Sequence, residues 1–287
     1  MLNLIINGVA QGCVYGLVAL GFVLIYKATE VVNLAQGEFL MLGAFAGFTF
    51  IGLWGLPYWL GLTLAAVCLM AFGYALERIV IRPMLGQPSS AIMILTIGVG
   101  LLLRAVAGLI WGHQPTGFAT PFDGARLHIL GTWIWAQQLM IVSTTLALCA
   151  LLYGFFRHTR LGIAIRAASQ NRLAAGYVGI HVNQVSAMAW GIGAAVSAVA
   201  GVLLAPLTLI DPQMGNVGLK AFAAAVLGGF GSLPGAIAGG LLVGLAEQFA
   251  AFYLPPGFST ATAYVLLLTM LVIHPQGLFR QIQGRRA

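Results

Sequence analysis

Eight apolar stretches follow one another along this chain, and they limit what it can fold into more than any other feature. They cover 4–26, 34–53, 58–76, 91–111, 136–156, 186–210, 235–253 and 260–273. A helix needs about 20 apolar residues to cross the hydrocarbon core of a bilayer. Most of these runs meet or approach that length. A ninth run, 219–230, is too short and ends in GGFGSLPG, where glycines and Pro234 break helix. It reads as a short or half-spanning helix. Charged residues make up only 7% of the 287, against 60% hydrophobic; soluble domains carry about 25% charged residues. Lipid is therefore the solvent. In lipid the backbone must satisfy its own hydrogen bonds, which leaves helices as the spanning elements for runs of this length. The expected fold is an all-α polytopic membrane protein with about eight transmembrane helices plus one half-spanning helix. All of 1–287 forms a single membrane domain, since no linker separates two.

Orientation follows from the basic residues. With the N-terminus outside and the short helix crossing, Lys27, Arg78, Arg82, Arg157, Arg160, Arg166, Arg172, Arg280, Arg285 and Arg286 fall on the inner side. The positive-inside rule then selects N-out and C-in. Trp54, Trp59, Trp111, Trp133 and Trp135 land at the outer interface, the depth amphipathic rings prefer. Arg126 and Lys220 fall at the outer edge, and Arg104 lies within a span. The net charge of +7 is what such a membrane protein carries and points to no nucleic acid partner. Cys13, Cys68 and Cys149 sit in apolar runs, which argues against a disulfide framework or a thiolate metal site. The first residues lack a basic n-region and read as an uncleaved first span. The external segment 112–135 looks irregular.

Glycines recur four apart: Gly8, Gly12 and Gly16; Gly43 and Gly47; Gly235 and Gly239; Gly240 and Gly244. Small residues at this spacing let helix backbones touch, and such packing holds helices together in lipid. No catalytic chemistry is legible. The chain has no GxxxxGK[ST] loop, no HExxH and no CxxC, and its five histidines are scattered. It is not an enzyme and does not itself hydrolyse ATP.

The inner segment 157–185 carries RAASQNRLAAGYVGI. Asn171 suits an N-cap and Gly179 a left-handed stop, which gives a helix of about two turns from Arg172 to Val178. Its apolar residues are Leu173, Ala174, Tyr177 and Val178. A short amphipathic helix lies on headgroups or docks in a partner's groove. The small residues Ala167, Ala168, Ala174 and Ala175 favour a partner over the bulkier anchors of a lipid-surface helix.

That segment, together with NLAQGEFLMLGAF, ERIVIRP followed by ILTIGVGLLL, and AVLGGFGSLPGAIAGGLLVG, resembles the inner-membrane permeases of the branched-chain amino acid ABC importer family, and most the H-type subunit. The four motifs stand in the right order across nearly the whole chain. The resemblance implies a bacterial inner-membrane location and a second permease, M-like or a second copy. It also implies two cytoplasmic ATPases, which bind the ATP so that this chain needs no cofactor, and a periplasmic binding protein. It places the ATPase-coupling segment at Arg166, Ala167, Asn171, Arg172, Ala175, Tyr177, Gly179 and Ile180. Members of the family also carry urea, short amides or other amino acids. A stand-alone secondary transporter or channel is the rival from another class; it should show several midplane carboxylates in matched halves, and only Glu38 and Glu247 qualify.

Polar residues inside spans mark the expected translocation pathway: Asn33, Gln36, Glu38, Thr96 and Arg104. At 100° per residue, Asn33, Gln36 and Gly37 share a helix face, while Glu38 lies about 140° from Asn33. A late start or a local break of the helix near Gly37 is expected. Glu38 then pairs with a helix end, an arginine or another polar group, and a purely structural ion pair is the alternative. Arg104 has Glu38 or Glu247 as candidate partners.

Overall fold

A computed structural model of the chain describes residues 1–129, 132–255, 257–274 and 277–279. Arg280, Arg285 and Arg286 lie outside the described residues. Eleven helices are labelled in chain order: α1 (Leu2–Thr29), α2 (Gln36–Gly47), α3 (Tyr58–Leu76), α4 (Ser89–Trp111), α5 (Ala136–His158), α6 (Arg160–Gln170), α7 (Arg172–Tyr177), α8 (Val182–Leu204), α9 (Val217–Gly228), α10 (Leu233–Tyr253) and α11 (Phe258–Ile273). A π-helical turn, Phe48–Leu53, prolongs α2. A second, Glu77–Ile81, followed by a 3-10 turn at Arg82–Met84, prolongs α3. Among the described residues seven helices are long and apolar enough to cross a membrane, and α11 is a shorter apolar helix.

The ends of the bundle are defined by contacts. At one end the Tyr253 hydroxyl reaches Met1, Tyr58 donates to the Met140 sulfur, and Thr116 pairs with Ile210. At the other, Arg172 reaches the Thr29 carbonyl, Arg82 donates to the Asn183 carbonyl, and the Leu278 N–H donates to the Leu227 carbonyl. The first is called here the Met1 end and the second the Thr29 end. The segment expected to be irregular between α4 and α5 contains a β-hairpin, β1 (Arg126–Ile129) with β2 (Thr132–Trp135). Cross-strand pairs hold it: the Arg126 guanidinium lies 4.0 Å from the ring centre of its partner Trp135, and His128 meets Trp133 edge-on. Such pairs are the stabilising unit of an isolated hairpin.

Helix α1 runs through the centre and packs antiparallel to α10. A Cβ on Gly12 would lie 2.7 Å from Leu241 Cα, and one on Gly240 or Gly244 would overlap the α1 backbone at Gly16 or Gly12. Gly8 and Gly16 face Leu245 and Ile237 in the same seam. Gly235 and Gly239 open a second seam between α10 and α9, against Gly228 and Ala224, while Gly43 and Gly47 bring α2 onto Ala198 and Val202 of α8. In each seam only hydrogen fits, so the backbones approach as closely as small-residue packing allows.

Helix α2 starts at mid-depth, and α9 is too short to cross the bundle by itself. The chain leaves α1 where Glu30 turns left-handed (φ 58°) and its N–H closes on the Tyr26 carbonyl. Buried Val31, Val32 and Asn33 then carry it back inward, so that α2 begins beside Gly21 of α1 and Gly193 of α8. Gly193 is the middle residue of the 23-residue α8. From the Met1 end, 211–216 descends in the same way to meet the start of α2. Helix α9 then completes the path to the Thr29 end, where Phe230 packs on Tyr26. The short run and the segment before it together extend from the Met1 end to the Thr29 end. Its C-terminal Gly229 takes φ 90°, and Ser232 caps α10 for the return.

Candidate functional site

Helices α2 and α9 meet with their N-termini at mid-depth. Gly37 makes this possible: a Cβ there would overlap the Gly215 carbonyl and press on Gly218 Cα. The late start of α2 is held by amides. Asn33 Nδ2 donates to Gln36 Oε1 (3.0 Å), and Asn33 Oδ1 accepts from the Ala35 N–H (3.1 Å). Gln36 Nε2 donates to the Gly193 carbonyl (3.0 Å) and to Ser197 Oγ (2.7 Å). Thr96 Oγ1, on α4, accepts from the Leu34 N–H (3.1 Å). These three polar side chains are fully buried and satisfied by protein. Water cannot satisfy orphaned backbone groups at this depth, so side chains must do so where a helix is interrupted.

Glu38 and Arg104 stand in front of that scaffold. Arg104 Nη2 donates to Glu38 Oε1 (2.5 Å) and to Asn216 Oδ1 (3.1 Å), and Nη1 donates to Gln213 Oε1 (3.4 Å). The Arg104 side chain is 26% exposed and the Glu38 side chain 10%. Glu38 Oε2 and Arg104 Nε are buried without a partner. Glu38 lies in the first turn of α2, where the helix dipole favours an anion, and against Gly215, whose missing side chain leaves room for the carboxylate. Glu38, not Glu247, is thus the partner of Arg104. Of the five expected pathway residues, Arg104 reaches an open face with buried Glu38 beneath it, and Asn33, Gln36 and Thr96 lie behind them.

Gln213 and Asn216 were not legible as members of this cluster. Their signal is the run DPQMGN, in which Asp211 caps the 3-10 turn Pro212–Asn216. A second polar network was also missed. Lys220 pairs with Glu247, which further accepts from the Tyr15 hydroxyl (2.6 Å) and from Gln11 Nε2 (3.4 Å). Lys220 therefore lies inside the bundle and not at its outer edge, and Glu247 is buried. Gln11 and Gln248 separate this network from a cavity of about 250 Å³ near the Met1 end.

At the Thr29 end, α6 and α7 form an elbow. Asn171 Oδ1 accepts from the Ala174 N–H (3.0 Å), and Gly179 takes φ 84° with the Ile180 N–H closing on the Ala175 carbonyl (3.0 Å). Ala175 is buried, as are Ile165 and Ala168 of α6. Leu173, Tyr177 and Val178 project outward, and Tyr177 is 89% exposed. Arg166, Ala167 and Arg172 belong to the same elbow.

Helices α2 and α9 meeting at mid-depth over a charged pair, inside a bundle of apolar helices, give the architecture of a multi-pass membrane protein. The family described as "Branched-chain amino acid transport system / permease component" matches residues 4–274, and the chain belongs to it. The chain is 34% identical to the high-affinity branched-chain amino acid transport system permease protein LivH of Escherichia coli K12, over 95% of this chain and 93% of that protein. It is also 34% identical to BraD of Pseudomonas aeruginosa, over 96% and 95%, and 28% identical to a probable LivH of Methanocaldococcus jannaschii, over 91% and 87%. The structure of PsaBC from Streptococcus pneumoniae in complex with Fab contains a chain matching 94% of this one, with a TM-score of 0.50 at 16% identity; the likeness is one of fold. The chain is thus an inner-membrane transport permease and not an enzyme.

Proposed function

We propose that this chain is the membrane-spanning subunit of an ATP-driven importer for branched-chain amino acids. Residues 1–287 act as one membrane domain, N-out and C-in, with the Thr29 end in the cytoplasm. Support for that orientation comes from Lys27, Arg82, Arg157, Arg160, Arg166 and Arg172 gathering at the Thr29 end, while Trp54, Trp59, Trp111, Trp133 and Trp135 lie towards the other. The cargo assignment rests on one observation: relatives alike over 95% of the chain are named for branched-chain amino acid transport.

A second permease, H-like or M-like, faces this one across the open surface that bears Arg104, and the pathway runs between them. A periplasmic binding protein delivers cargo at the Met1 end. Two cytoplasmic ATPases receive the elbow formed by Arg166, Ala167, Asn171, Arg172, Ala175, Tyr177, Gly179 and Ile180. The exposed apolar tip at Leu173, Tyr177 and Val178 supports that docking, since two large apolar side chains on a helix of six residues and a third at its C-cap suit a groove. Nucleotide-driven closure of the ATPases moves this elbow, and the glycine seams transmit the movement as rigid-body tilting of packed helices.

Co-expression with a second permease, the ATPases and the binding protein, followed by reconstitution in liposomes, tests the reading. Labelled leucine should accumulate only with ATP and with all components present. Accumulation by this chain alone would overturn it.

A further inference from the structure

The mid-depth junction brings together two helix N-termini and one ion pair. Neither α2 nor α9 has a side-chain cap at its N-terminus. Each helix start is equivalent to roughly half a positive charge. Arg104 and Glu38 cancel each other, so the positive ends of the two helices are left to shape the local field. That field lies at the middle of an apolar bundle and favours the carboxylate end of a ligand at the helix starts. The one carboxylate present is not saturated either: Glu38 is buried and its Oε2 has no donor, while Arg104 Nε has no acceptor. A structural ion pair would use these valences inside the protein.

The outward neighbours of the pair are weakly bound. Gln213 meets Arg104 at 3.4 Å and Asn216 at 3.1 Å, and both are exposed neutral amides. Leu101 stands one turn before Arg104 on α4, and Leu219 one turn after Asn216 on α9; both are more than half exposed. Residues three apart share a helix face. The polar junction is therefore flanked by branched apolar side chains.

We infer that Arg104 and Glu38, at the meeting of the α2 and α9 N-termini, form a binding site within the translocation pathway for the zwitterionic head of an α-amino acid. The reading rests on the transport function proposed above. The cargo carboxylate displaces Gln213 and Asn216 and takes the Arg104 guanidinium as a fork, with the two helix starts adding to its field. The ammonium takes Glu38. Each protein charge exchanges its partner for one on the cargo, so no buried charge is left alone at any stage. The aliphatic side chain lies along Leu101 and Leu219. With cargo absent, the two residues neutralise each other and leave no isolated charge for a passing ion.

The test uses the full transporter in liposomes, with the binding protein and labelled leucine. Glu38→Gln and Arg104→Gln should each lower uptake by roughly thirtyfold or more, the scale of losing one partner of a desolvated charge pair. Co-purification with the ATPases should be unchanged. The double variant Glu38→Gln/Arg104→Gln, which pairs two neutral amides, should stay equally impaired. Recovery of uptake in the double variant would show a structural pair and overturn the site. Independently, Leu219→Cys in a background with Cys13, Cys68 and Cys149 replaced by Ala should be shielded from maleimide by leucine during turnover; unaltered labelling would also overturn it. Should the unmodified complex fail to accumulate leucine at all, the transport reading fails, and this outcome is distinct from loss of the site alone.

Discussion

A single methyl group in the α1–α10 seam should be among the most damaging changes the bundle can suffer. In Gly12→Ala the new Cβ would stand 2.7 Å from Leu241 Cα and 2.9 Å from the Gly240 carbonyl oxygen. Carbon atoms in good contact sit about 3.5–4.0 Å apart, so the helices must part by about 1 Å. No side chain can yield instead, because both obstacles are backbone. Overpacking of this kind costs about 1–3 kcal/mol. The same movement would stretch the 2.6 Å bond from Tyr15 to Glu247 beyond hydrogen-bonding range, and a bond to a charged group contributes about 1.5–3 kcal/mol. Alanine regains up to about 1 kcal/mol of helix propensity. The net loss is about 2–5 kcal/mol, or a fall of roughly 5–15 °C in Tm for a chain of this size. Gly98→Ala is the control, since a Cβ there meets nothing within 4 Å, and it should hold or slightly raise Tm. Thermal unfolding of the purified protein in detergent, followed by size-exclusion recovery, reads both. A Gly12→Ala Tm within about 2 °C of the parent would refute the claim that backbone contact holds this seam.

Gln36→Leu should cost about 1–3 kcal/mol in the same thermal assay, because Asn33 Nδ2, the Gly193 carbonyl and Ser197 Oγ each lose their Gln36 contact; unchanged stability would mean that amides do not hold the break before α2. Glu247→Gln should destabilise by up to about 3 kcal/mol by leaving Lys220, which is only partly exposed, without its counter-charge. Adding Lys220→Met should restore most of the loss, and failure of the pair to couple in a double-mutant cycle would contradict the network. Asn171→Ala should remove about 1 kcal/mol from α7 by orphaning the Ala174 N–H, seen as faster amide exchange across Arg172–Tyr177 with the membrane helices unaffected.

What the sequence made legible was local. The apolar runs predicted the long helices within a few residues, because length and hydropathy are properties of each segment. Asn171 and Gly179 marked the two ends of α7, because a cap and a left-handed stop are written in single residues. The glycine ridges announced close packing but not the order of pairing, with Gly240 and Gly244 on α1 and Gly235 and Gly239 on α9. Long-range partnership was not legible. Arg104 had two carboxylates within its candidate range, and only the return of the chain to mid-depth after Glu30 brings Glu38 under it. The descent of 211–216 was hidden for the same reason: a polar run beginning with Asp-Pro reads as an outer turn unless its destination is known. The hairpin was missed although RLHI alternates polar with apolar and TWIW is rich in strand formers, because the prolines and glycines earlier in that segment dominated its reading.

The elbow at Tyr177 is where the proposed mechanism stands or falls. The most direct measurement introduces Tyr177→Cys into the background with Cys13, Cys68 and Cys149 replaced, and crosslinks it to cysteines placed along the groove of the ATPase subunit in the assembled complex. Crosslinking should be efficient, and the locked complex should lose both binding-protein-stimulated ATP hydrolysis and leucine uptake until the link is reduced. A complex that fails to crosslink there at any groove position, or that transports leucine normally while locked, would contradict the account.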